Sequence, residues 1–229
     1  MNLRPPTGYQ PRRRKVGGSA PVPPETPEQS SEVFSNKNKE ESINFIKKHS
    51  FGLIISIKDN IPIANHLPFV IDEDKDDLIL ISHFSKNNPQ LEDLDKQNVL
   101  LVFSEPHAYI SPKNYENILN VPTWNYISVQ AYGKVNLMQE KEKALLIIDK
   151  MINNYEKDYI KQWDNFPETY KNKMINGIVC FEIKIEKLEA KKKLSQNKSL
   201  KEQENIINTL SKSNKENEIL LAKYMKNLI

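Results

Sequence analysis

Apolar positions along this chain repeat with two spacings, near two and near 3.6, and the two spacings alternate in blocks. Ile43, Phe45 and Ile46, behind Asn38-Lys39-Glu40-Glu41, predict a helix from about Asn38 to Lys48, with an amide cap and a carboxylate three residues on. Phe51 to Ile57 predicts a strand, Lys58-Asp59-Asn60 a turn, and Ile61 to Val70 a second extended run. Pro62 and Pro68 mark that run as an edge or kinked strand. Asp72 to Asp77 is a charged turn that lacks the glycine and distal glutamate of a calcium hand. Leu78 to Ser82 and Val99 to Phe103 predict two more strands, with a short helix from Asn88 to Leu94 between them. A fifth strand lies within Trp124 to Leu137. Glu140 to Tyr155 carries Ala144, Leu145, Ile148, Met151 and Ile152 at helical spacing, and Ile175 to Leu188 alternates as a last long strand. Beyond Lys193 the pattern is helical again. Ser213-Asn214-Lys215-Glu216 reads there as a capping box before Ile219, Leu220, Ala222, Tyr224, Met225 and Leu228. Five or six short strands with a few helices, and no regular strand–helix alternation, predict a small mixed or antiparallel barrel rather than a doubly wound sheet.

Composition divides the chain. Arg4, Arg12, Arg13 and Arg14 all lie in residues 1–33, with half of the 14 prolines and half of the 6 glycines. Such a segment cannot bury enough apolar surface to offset its ordering entropy, so 1–33 is expected to be a disordered leader or natural arm. Arg12-Arg13-Arg14-Lys15 is a solvated charge run on the plain reading and a contact for an acidic surface or nucleic acid on the sharper one. The folded body is expected over 34–229, ending in a helical segment. A net charge of +3 does not by itself argue for nucleic acid. No apolar run approaches the roughly 18 residues of a membrane span, and no signal-peptide core follows the first basic residues; a cytoplasmic protein is expected. The single cysteine, Cys180, excludes an internal disulfide framework and reads as a buried core thiol.

Candidate chemistry gathers in a few blocks. Val121-Pro122-Thr123-Trp124-Asn125-Tyr126 places an indole, an amide and a phenol at the entry to a strand where packing alone favours Val, Ile and Leu. That mixture suits a flat polar ligand. Asn65-His66 and Ser82-His83 each end a strand with a histidine. Ser82, Ser85, Lys86 and Asn88 gather at a strand–helix junction, a place to hold a phosphate or, equally, a capped turn. His107 lies between two prolines in what reads as an ordered loop, with a catalytic role the less favoured reading. Lys191 to Lys193 read as solvated, and Ser195-Gln196-Asn197 as a ligand edge or a helix cap. No nucleophile elbow, phosphate loop, dinucleotide fingerprint or metal spacing occurs, so no catalytic residue and no metal site is assigned.

These blocks, in the order Asn65-His66-Leu67-Pro68-Phe69, His83 to Gln90, Phe103 to Pro112, Val121 to Tyr126 and Lys193 to Asn197, resemble the PaiB-type FMN-binding proteins from about Phe34 to the C-terminus. The resemblance implies an α+β split β-barrel, mostly antiparallel with peripheral helices, related to pyridoxamine-phosphate oxidases and flavin reductases. It implies a homodimer with FMN at the subunit interface. Asn65 and His66 would face the flavin ring, and Ser82, His83, Lys86 and Asn88 the ribityl phosphate. Trp124, Asn125 and Tyr126 would line the ring, and Lys193, Ser195 and Gln196 would close the site. Lys86 stands where the family usually has arginine, which keeps the charge and loses the bidentate fork. The functional expectation is a flavin-dependent redox or flavin-sensing protein. The alternatives are a repressor acting through DNA or a protein partner, and a haem-binding or haem-degrading barrel. No DNA-binding motif is recognisable in the body.

Overall fold

The computed structural model describes residues 36–73, 75 and 77–228, so the predicted disordered segment 1–33 lies outside the described residues. The described chain forms helix α1 (Asn36–Lys48) and strands β1 (Phe51–Lys58), β2 (Ile61–Pro68), β3 (Val70–Asp72), β4 (Ile79–Ser85), β5 (Asn98–Ile110) and β6 (Thr123–Leu137). There follow α2 (Lys141–Tyr155), α3 (Ile160–Asp164), α4 (Glu168–Ile175), β7 (Ile178–Lys193), α5 (Leu200–Ser211) and α6 (Glu216–Lys226). The strands make one antiparallel sheet in the order β2-β1-β5-β6-β7-β4-β3.

That order forces the sheet to curl. β2 and β3 occupy opposite edges, yet Phe69 alone separates them in the chain. In a flat sheet, six spacings of about 4.8 Å would set the edges roughly 29 Å apart, and two peptide units reach about 7 Å. The edges must therefore approach each other, which makes a split barrel. The Ser82 hydroxyl fastens the seam by donating to the Pro68 carbonyl at 2.7 Å.

The inner face carries Ile54, Leu101, Phe103, Ile127, Val129, Ala131, Phe181 and Ile183, all buried, and is closed by α1, α5 and α6 through Phe45, Ile206 and Leu221. On the opposite face, α2 covers Val70, Ile79, Ile81 and Cys180 with Ala144, Ile147 and Met151. Cys180 is the expected core thiol, its pKa pushed up to about 12 by burial. Among the described residues no helix is long and apolar enough to cross a membrane.

Several sequence expectations need correction. α1 begins at Asn36, so Asn38 lies inside the helix and does not cap it. β5 runs straight through Pro106 to Ile110, so His107 lies on a strand; the Pro is accommodated where the ladder to β6 slips between Ser104 and His107. β7 continues through Lys191, Lys192 and Lys193, because β6 supplies a ladder partner for each. The capping box is at Ser199 and Glu202, opening α5, and α6 starts from Lys215 with no side-chain cap. In α2 the buried stripe is Ala144, Ile147 and Met151, with Leu145 and Ile148 at its margin.

Candidate functional site

The sequence-predicted residues fall into two groups. The first lies where β2 and the end of β4 meet the short 3-10 turn Pro89–Leu91. Asn88 caps that turn, its carboxamide oxygen accepting from the Gln90 amide at 2.9 Å. Gln90 is almost fully enclosed; its Nε2 donates to Ser56 Oγ at 2.9 Å and its Oε1 accepts from Asn65 Nδ2 at 2.7 Å. Asn65 and Asn88 thus belong to one polar network that pins the turn to β1 and β2. Gln90 was not singled out by its sequence position; the signal is the Asn-Pro-Gln run, a capping amide before a proline. His66 lies on the other face of β2, stacked on Phe51 with ring centroids 5.7 Å apart.

Lys86 is exposed at the end of β4, next to the exposed Ser85. Both can reach an anion. Ser82 cannot join them: it is fully enclosed, on the opposite face from Ser85 by strand alternation, and committed to Pro68. Backbone N–H groups of Lys86 and Asn88 are spent on the Gly177 and Ser85 carbonyls, so the turn offers little of the predicted amide cradle. His83 shares its face with Ile79 and Ile81, which α2 covers, and stands level with Cys180. Its Nδ1 is buried with no partner among the described residues, and burial lowers its pKa.

The second group lies at the far end of β5, β6 and β7. Register sets Tyr109 against Trp124, His107 against Tyr126, and Tyr126 against Lys193. Trp124 is 53% exposed, with the Tyr109 ring edge-on at 6.0 Å and the His107 ring at 5.9 Å. These three rings wall an open groove of about 490 Å³, whose other side is Lys215, Glu216 and Glu218 at the start of α6. Lys193 Nζ donates to Thr123 Oγ1 at 2.5 Å.

The resemblance places Asn125 at the ring's polar edge and has Ser195 close the site, and the structure encloses both side chains. Asn125 Nδ2 donates to Ser195 Oγ at 2.9 Å and lies 3.7 Å from Met225 Sδ, which ties β6 to the segment after β7 and to α6. Ser195 has φ of 58°, a left-handed conformation that this pairing holds. Gln196 closes its own turn, accepting from the Leu194 amide at 2.7 Å and donating to the Lys192 carbonyl at 2.8 Å. Register places the exposed cation of the first group and that of the second at opposite ends of β7. Lys86 sits beside Ile178, where β7 begins, and Lys193 is where it ends, roughly 50 Å further along the strand at 3.3 Å per residue. Among the described residues no hydrogen bond joins the groups.

Residues 30–187 match the protein family described as "Putative FMN-binding domain". The chain is 36% identical over 196 residues to the Protease synthase and sporulation protein PAI 2 of Bacillus subtilis, covering 84% of this chain and 94% of that protein. Two solved structures share the fold. The FAD and heme binding protein from Mycobacterium smegmatis has a TM-score of 0.56 at 12% identity, covering 76% of this chain and 78% of that one. The flavocytochrome Anf3 from Azotobacter vinelandii has a TM-score of 0.53 at 15% identity, covering 74% and 76%. The side chains present fit FMN in kind: an exposed ammonium and hydroxyl suit its phosphate, and an aromatic wall suits its flat ring. The chain belongs to the FMN-binding split-barrel family of the PaiB type, and FMN is its cofactor.

Proposed function

We propose that two copies of this chain hold FMN between them, with Lys86 and Ser85 of one copy at the phosphate and the Trp124 end of the second copy at the ring. The carrying observation is the placement of the two groups at opposite ends of β7. A two-fold related copy can bring one copy's phosphate group to the other's aromatic wall, and two-fold dimers are the commonest symmetric assembly. The outer face of β1 supplies a surface for such pairing: Phe51 and Ile57 are exposed and Leu53 and Ile55 half-buried, in line with the exposed Pro62 and Ala64 of β2. An apolar strip of this kind marks an interaction face.

Bound FMN supplies hydride or one-electron transfer. The chain's own residues do the holding. Lys86 offsets phosphate charge, Ser85 adds a hydroxyl, and Trp124 presents a flat apolar face. His66 and Tyr126 border the ring, and Lys193, anchored on Thr123, stands beside its polar edge. The reading is thus a flavin-dependent redox protein.

A second reading follows from the name of the B. subtilis relative, which refers to protease synthesis and sporulation. In it the flavin is a sensed ligand of a regulator acting through DNA or a protein partner. A gel shift that survives about 150 mM salt, where non-specific phosphate contacts weaken, would favour it.

The test is an FMN titration of the full chain followed by visible absorbance. One FMN per chain is expected, with Lys86→Ala weakening binding about 10- to 100-fold, the loss of a charge-assisted hydrogen bond, and Lys86→Arg retaining it. Absence of flavin bands at high micromolar FMN, or a Soret band on adding haem in their place, would overturn the redox reading.

A further inference from the structure

On the inner face of the sheet, α1 and α6 do not close fully over β6 and β7. They leave a cavity of about 250 Å³ with Phe45, Ile127, Val129 and Ala190 in its wall and Lys48, Lys192 and Tyr224 at its mouth. Protein interiors hold few voids larger than a water molecule. A dry apolar cavity of about 150 Å³ already accepts a benzene-sized guest. This one is larger, and although Ser42 and Asn44 of α1 also line it, Phe45, Ile127, Val129 and Ala190 make part of it apolar.

The mouth is charged and lopsided. Lys192 is paired with Glu41 of α1. Lys48 Nζ lies 4.7 Å over the Tyr224 ring and has no carboxylate partner among the described residues. The Tyr224 hydroxyl lies 3.1 Å from His49 Nε2, which fixes the ring beneath Lys48. Two ammonium groups therefore face one carboxylate at the entrance to an apolar pocket. A guest that satisfies both parts has one anionic head and a compact apolar body.

We propose that this cavity binds a small amphiphilic monocarboxylate, such as a medium-chain fatty acid, with its head between Lys48 and Lys192 and its body against Phe45, Ile127 and Val129. The site stands independently of the flavin reading, although Ile127, Lys192 and Tyr224 are close chain neighbours of Asn125, Lys193 and Met225.

The test is calorimetric titration of the full chain with octanoate, with no flavin added, so that failure of the flavin reading leaves the result standing. A dissociation constant of about 0.1 mM is expected for a ligand of ten heavy atoms. Lys48→Met is expected to weaken octanoate about fivefold or more, through loss of a charge-assisted bond. Ala190→Phe, which fills the cavity from the half-buried edge of β7, is expected to abolish binding. Far-UV circular dichroism checks that both variants fold, and Lys48→Met, at an exposed position, carries the test alone if Ala190→Phe does not. Octylamine binding as tightly as octanoate overturns the proposal. So does octanoate affinity unchanged in Lys48→Met, or no heat of binding at 2 mM ligand, well above the expected constant.

Discussion

His83 sits on β4 with an imidazole nitrogen buried and unpartnered among the described residues, and burial lowers its pKa from 6.5. The proton is refused by the folded chain and accepted by the unfolded one, so stability rises with pH across that interval. The contribution of neutral His83 is complete above about 6.5, the unfolded value, and is lost as pH falls through the lower folded value. His49, half-buried and beside Lys48, is shifted in the same direction and adds to the slope. His83→Gln is therefore expected to flatten the urea-denaturation stability curve as pH falls below about 6.5, without removing the His49 part. An unchanged slope would show that His83 does not carry the effect. The neighbouring Ser82 marks what is legible at this scale. Strand alternation sends Ser82 and Ser85 to opposite faces, and that follows from the sequence. The acceptor that takes the Ser82 hydroxyl does not, because the Pro68 carbonyl lies 14 residues away and reaches it only when the barrel closes.

Gly133 shows the same dependence at the scale of paired elements. It sits where the ladder between β6 and β7 shifts register, and an added Cβ would lie 2.4 Å from the Lys184 carbonyl oxygen. Backbone cannot move aside as a flexible side-chain tip can, so Gly133→Ala overpacks the most extensively paired strands of the sheet. A loss of about 2–3 kcal/mol is expected, seen as a fall in Tm of roughly 5–10 °C. A Tm within 1 °C of the parent, less than the shift for about 0.5 kcal/mol, would mean that the bulge relaxes freely. Period-two alternation locates β1 and β6, which alternate buried and more exposed residues, while β4 is legible as a short continuous apolar run because it is buried on both faces. Alternation fails at the end of β7, where three lysines look like solvent-facing sequence. What makes them a strand is β6, which pairs Lys191, Lys192 and Lys193 with Ser128, Ile127 and Tyr126. Pro106 hid the second half of β5 for a related reason: a proline ends a strand on local rules, and here a register slip in the ladder absorbs it. Two serines, Ser199 and Ser213, are each followed three residues on by glutamate, and only Ser199 caps a helix. Local spacing cannot choose between them, since the choice depends on where each helix docks.

Across the whole molecule the feature behind the proposed dimer is that Lys86 and Lys193, which the linear order presents as parts of one site, lie at opposite ends of β7. The sequence blocks identify the family and the kind of ligand, because those depend on side-chain chemistry. In the proposed dimer, which chain supplies which block depends on the path of β7, and no local pattern encodes that. The arrangement makes a sharp demand on mixed dimers. Lys86→Ala damages the phosphate group and leaves the aromatic wall intact, while Trp124→Ala does the reverse. Each variant alone is expected to bind FMN weakly. When the two are unfolded, mixed in equal amounts and refolded, half of the dimers pair one chain of each kind. In such a dimer one site joins two intact groups and the other joins two damaged ones. Tight FMN binding should therefore return to about a quarter of all sites, as two-fold symmetry requires. If both groups served the same flavin from a single chain, every site in the mixture would keep one defect and no tight sites would appear. The titration thus separates a site shared between subunits from one contained within a subunit. Leu53→Asp, which puts a charge on the apolar outer face of β1, supplies the matching control: it should give a folded monomer by gel filtration with weakened FMN binding, because neither group then has its complement.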